Sequence, residues 1–129
     1  MAGIICADTL QDGAGNSTAM DNAIYGSAKA WVNFGYVSSA ITVRKSYNVS
    51  SVTRNSTGNY TVTFSNAMAD TNYVAIPNSL AVPAVQGGFC SPWAATSSAI
   101  GTTSSFIIAT YNNGASLQDN TVIVAAVFD

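Results

Sequence analysis

Acid–base or nucleophilic chemistry in this chain would have to come from six aspartates (Asp8, Asp12, Asp21, Asp70, Asp119, Asp129) and two cysteines, Cys6 and Cys90. The 129 residues contain no histidine and no glutamate. A Ser-His-Asp or Cys-His arrangement therefore cannot be assembled within one chain. Zinc centres of the Cys/His type fail too, because two cysteines leave the coordination shell unfilled. A carboxylate pair would suffice for a glycosidase. Several of the aspartates, however, lie in turn-like sequence, where Asp is favoured for hydrogen bonds to nearby backbone. Asp8 and Asp12 lack the repeated oxygen ligands of a calcium loop. Gly13 and Gly15 lack the third glycine and the strand–turn–helix setting of a dinucleotide site. The cysteines lack CxxC spacing, so two free thiols are the plain reading and a long-range disulfide stays open. The expectation is a protein that is not an enzyme and carries no metal and no cofactor.

Binding is the chemistry left. Phe89, Trp93, Tyr111, Asn112 and Asn113 fall in or beside loop-like sequence. Aromatic rings next to amides suit a carbohydrate, and loops at one end of a β-domain are where recognition usually sits. The alternative is that these rings fill the core or an interface. Val122, Val124 and Phe128 belong to a C-terminal run that is apolar on both faces, as in a central strand or a subunit interface. Four cationic residues, Lys29, Arg44, Lys45 and Arg54, are scattered, and the net charge is −2. That leaves no basic patch for nucleic acid or anionic lipid. No apolar run approaches the roughly eighteen residues of a membrane helix. Residues 1–7 are short and lack a basic n-region, so no signal peptide is expected. Four Asn-x-Ser/Thr triplets, at Asn16, Asn48, Asn55 and Asn59, are unsurprising where Ser, Thr and Asn make up about a third of the chain.

The elements that must position these groups centre on residues 46–73. Tyr60, Val62 and Phe64 alternate with Thr61, Thr63 and Ser65, the period of a half-buried strand. The run before them is also strand-like, and residues 55–59 between the two form a turn in which Gly58 needs a positive φ. Tyr47 and Val49 share a face while Val52 is out of phase, so a bulge is expected at Ser50-Ser51. Residues 28–34 alternate Ala30, Val32 and Phe34 with Lys29, Trp31 and Asn33, and residues 41–47 follow as a strand with Arg44-Lys45 solvated. Segments 72–76 and 80–85, punctuated by Pro77 and Pro83, read as edge strands or strand ends. Gln86-Gly87-Gly88 opens a looser region, and residues 94–100 suit one helical turn. Ser105–Tyr111 and Val122–Phe128 complete the set, with a loop from Asn112 to Asp119 between them. About eight short strands with regular turns predict an all-β fold, an antiparallel, jelly-roll-like sandwich over residues 28–129. Residues 1–27, turn-rich and weakly patterned, read as an N-terminal arm that attaches to a neighbour.

The runs AKAWVNF (28–34), SYNVSSVTRNSTGNYTVTF (46–64) and AMADTNY (67–73) resemble a module of bacteriophage tail fibres and related virion proteins, common in phages of marine bacteria and cyanobacteria. The likeness covers residues 28–129. Where that family often carries a longer glycine-rich turn after its tryptophan strand, this chain has only Gly35-Tyr36. The resemblance implies a non-enzymatic virion protein, assembled in the host bacterial cytoplasm, whose knob forms a homotrimer. It also implies contacts with other virion proteins and attachment at the host surface, where a glycan would be the receptor. Within the virion the alternative is a head decoration or cement protein. From a different class, a free carbohydrate-binding module or hydrolase is the minor alternative.

Overall fold

The structure, a computed structural model, describes residues 7–80, 87–93, 100–112 and 114–129. It is an antiparallel β-sandwich, as the alternation predicts. Among the described residues, eleven strands and one helix follow in chain order: β1 (Thr9–Gln11), β2 (Ser17–Ala19), α1 (Met20–Tyr25), β3 (Ala30–Val37), β4 (Ala40–Tyr47), β5 (Val49–Ser56), β6 (Asn59–Phe64), β7 (Val74–Leu80), β8 (Gly87–Trp93), β9 (Gly101–Thr102), β10 (Ser105–Tyr111) and β11 (Val122–Phe128). β1 and β2 form a separate hairpin, while the others run β4-β3-β11-β7-β8-β10-β6-β5, with β9 beside β10.

The path folds over on itself into two layers. The front layer is β4-β3-β11-β7 and the back layer is β8-β10-β6-β5. Among the described residues they are joined at one side through the register pairs Ser79↔Gly88 and Leu80↔Gly87. On the other side the chain crosses between layers at Asn48, whose φ of 53° breaks the strand. Its side chain fixes the corner, donating to the Lys29 and Asn66 carbonyls and accepting from the Asn66 amide at 2.8 Å. The corner separates Tyr47 from Val49, which were expected on one face. Tyr47 is exposed on the outer face, and Val49 packs against the core.

Between the layers lie Ala30, Val32 and Phe34 from β3, Tyr60, Val62 and Phe64 from β6, Phe106 and Ile108 from β10, and Ile123, Ala125 and Val127 from β11. Aromatic edges lock the layers together: Phe34 meets Tyr60 at 5.4 Å and 73°, and Phe64 meets Tyr73 at 5.8 Å and 83°. The expected bulge is present, since the β5–β6 register shifts between Val49 and Ser51. Gly58 has φ +65°. The turn around it is tighter than residues 55–59: Ser56 pairs with Asn59, and Asn55 belongs to β5.

Several expectations need correction. Gly35 and Tyr36 are inside β3, and the turn that follows is Ser38-Ser39, both at positive φ, as a two-residue hairpin connection requires. A Cβ on Gly35 would sit 1.9 Å from the Thr121 carbonyl oxygen, so close approach of two backbones explains the glycine. The looser region after Gly87 is strand β8, paired with β10 from Phe89↔Tyr111 to Trp93↔Ile107. β7 is interior to the strand order, but Pro77 lies on its stretch unpaired with β8, where its missing N–H costs nothing. Residues 7–27 are more regular than expected: Asp12 closes the β1–β2 turn by accepting from the Ala14 and Asn16 amides, and α1 follows. Residues 1–6, the segment 81–85 with Pro83, and most of the turn expected at 94–100 lie outside the described residues.

Candidate functional site

β11 is central to the front layer, and its side chains alternate between core and exterior. Ile123, Ala125 and Val127 point inward, so Val122, Val124, Ala126 and Phe128 point outward. Residues opposite one another in antiparallel pairs share a face, and the register therefore builds the outer surface row by row. One row runs Ile76, Ala126, Trp31, Tyr47 across β7, β11, β3 and β4. The next runs Asn78, Val124, Asn33, Lys45. Leu80–Val122 and Val74–Phe128 close the two ends on the β7 side.

The result is an apolar sheet face open to solvent. Ile76 is 59% exposed, Val74 and Tyr47 each 57%, and Val124 38%. Trp31 and Tyr47 stack with centroids 6.5 Å apart. Exposed apolar side chains are ordinary when scattered, but contiguous ones mark interaction surfaces. Of the three interface residues expected from sequence, Val122 and Phe128 are half-buried, and Val124 is the exposed centre of the face. Within one chain, water reaches Val124 although β11 is central to its layer. Val74, Ile76, Leu80, Trp31 and Tyr47 were missed as members. The period-two run Val74, Ile76, Asn78, Leu80 was the available signal, masked by Pro77.

The sheet edges, by contrast, are guarded. β4 carries the cations Arg44 and Lys45, and its pairing with β3 shifts register between Asn33 and Phe34. β5, the other edge, is bulged at two places. Bulges and charges are usual blocks to strand addition.

The expected recognition residues come together only in part. Phe89 and Tyr111 are register partners at one end of the β8–β10 pair, and Asn112 follows directly. Trp93 sits at the other end of the same pair, opposite Ile107. Both Phe89 and Trp93 are strand residues, which corrects their placement in loops. The Asn112 amide oxygen accepts from the Gly114 and Ser116 amides, so it holds its own turn. Asn113 lies outside the described residues.

A polar hub that the sequence did not announce closes this end of the sandwich. Asp119 accepts from Arg54 Nε at 3.0 Å and Nη2 at 2.8 Å, from the Gly58 amide at 2.9 Å and from the Tyr60 hydroxyl at 2.6 Å. Arg54 also lies over the Tyr36 ring, 4.7 Å from its centroid. Burial pushes the Asp119 pKa up, but the bonds from Arg54, Gly58 and Tyr60 outweigh it and hold the carboxyl below its ordinary value. Burial, then the bond to Asp119, raises the Tyr60 hydroxyl. Arg44 Nη2 donates to the Thr121 carbonyl at 2.7 Å, and the buried Asn120 donates to Ser79 Oγ at 3.0 Å. Both carboxylate oxygens of Asp119 are engaged within the chain, so the hub fastens the segment before β11 to the β5–β6 hairpin.

Cys90 is a free thiol, pushed up to about 12 by burial and so a poor nucleophile; Cys6 lies outside the described residues. Among the described residues no group of His, Cys, Asp or Glu could hold a metal ion, and no helix is long and apolar enough to cross a membrane. Comparison with known proteins returns no match, whether to a family model, to a curated protein or to a solved structure.

Proposed function

We propose that this chain is a non-enzymatic structural subunit of a virion, a tail-fibre knob that works by assembling with copies of itself and with neighbouring particle proteins. The apolar outer face of β7, β11, β3 and β4 carries this reading. Val74, Ile76, Leu80 and Val124 leave more than a third of each side chain in water, a state that an assembly partner would relieve. The hydrophobic gain is about 25 cal/mol for each Å² of apolar surface covered. The resemblance of residues 28–129 to tail-fibre modules supplies the setting, and a homotrimer is the state it implies. The end of the sandwich where Phe89 pairs with Tyr111 would face the host surface. The same face serves a head decoration protein equally well. Quantitative mass spectrometry of purified particles from the phage that encodes the chain tests the proposal. A few copies per particle support the fibre and hundreds support the decoration protein, while absence from particles overturns the virion reading.

A further inference from the structure

The outer face is not symmetric in charge. Of the four cationic residues, Arg44 and Lys45 lie on β4 in its β3–β4 half, and Lys29 directly precedes β3 with its ammonium on the Ile24 carbonyl. Arg44 Nη1 reaches Asn33 in the middle of that half, and Lys45 pairs with Asn33 in the register. The β7 half has no cation. At its end, Asp70 and Asp129 border a recess together with Val74 and Phe128. Between the halves runs β11, whose outward residues Val124 and Ala126 are small or medium apolar side chains.

We propose that a second copy of this chain covers the face, with its β7 half seated on the β3–β4 half of the first. This deepens the reading of the face as an assembly surface and rests on it. A rotation axis parallel to β11 produces this seating for two copies or for three, and it keeps the strand rows level. Ile76 of one copy then meets Trp31 and Tyr47 of the next, an aliphatic side chain against two stacked rings. Asn78 meets Asn33 and the cations beside it, and Val124 packs near the axis. Opposite charge brings unlike halves together and disfavours β7 against β7 or β4 against β4. The guarded edges leave face packing as the open route. Four strands by seven residues span roughly 19 by 23 Å at ordinary sheet spacings. That flat footprint, roughly 440 Å², is about half of the ~800 Å² that a standard specific interface takes from each partner, which places the contact among small, weak interfaces.

Asn78→Asp and Asn78→Lys, compared with the native chain by sedimentation equilibrium at low salt, test the seating. Both change one exposed side chain at one position, and melting curves verify that each variant folds. A lysine there faces Arg44 and Lys45 of the neighbour, so its dissociation constant rises roughly tenfold or more, whereas the aspartate variant associates at least as tightly as the native chain. Equal weakening by both charges, or by the aspartate alone, overturns the seating while leaving self-assembly intact. A native chain that stays monomeric overturns this proposal together with the reading beneath it.

Discussion

At the scale of single residues, Asp119 does the most to hold the sandwich end closed. Its carboxylate accepts from a side chain of β5, from the backbone and side chain of the β5–β6 hairpin, and so ties residues some sixty positions apart. Asp119→Asn keeps the shape but loses the charge-assisted bonds. We expect a cost of about 1–2 kcal/mol, because water still reaches the pair and screens it. The pH dependence has a definite sign. The folded pKa lies below the unfolded value of about 3.9, so the stabilisation is complete above that value and disappears as pH falls through the folded one. Melting curves should therefore show native and Asp119→Asn chains differing at pH 6 and converging below about pH 4. Gly58 is the second residue of consequence. At φ +65°, with the Thr110 carbonyl oxygen 2.6 Å from where a Cβ would sit, it tolerates no side chain. Gly58→Val should cost about 2 kcal/mol or more in chemical denaturation. A midpoint unchanged from the native chain would contradict this account of the turn.

Among the elements, β6 was legible because its apolar residues alternate, and β10 and β11 because their seven-residue runs are rich in apolar and β-branched residues with no breaker inside. β8 was not legible, since Gly87, Gly88 and Pro92 all read as loop. Pairing with β10 along Ile107 to Tyr111 imposes the extended form despite them. The helix α1 spans six residues without an apolar period, too short for pattern or propensity to reveal. The outer face was visible only through β11. Its other members depend on β7 and β3 flanking that strand, which is a long-range fact about strand order that local sequence does not carry. The hub was hidden for the same reason, as Arg54 and Asp119 meet only after the sheet folds over. The N-terminal elements invite a prediction at this scale. Among the described residues, β1, β2 and α1 precede the first core residue, Ala30, and the backbone is first tied to β11 where the Lys29 amide donates to the Val127 carbonyl. Deleting residues 1–27 should leave the remainder folded, with a melting temperature within about 4 °C of the full chain. Loss of cooperative unfolding in the truncated chain would make this segment part of the core instead of an arm.

For the whole molecule, scarcity of charge is the governing property. Charged residues are 8% of the chain against 48% apolar, so the proposed association would meet little charge repulsion and draw on apolar burial. High salt should consequently leave the oligomer in place. Val124, exposed within one chain and central to the face, separates folding from assembly. Val124→Asp keeps a hydrated charge in the monomer and a desolvated one in the assembly. Light scattering at tens of micromolar, at low and at high salt, tests the central claim most directly. The account predicts a native mass near three times the 13.3 kDa of one chain, and a folded Val124→Asp variant at the mass of one. A native chain with the mass of a single copy under both conditions would contradict it.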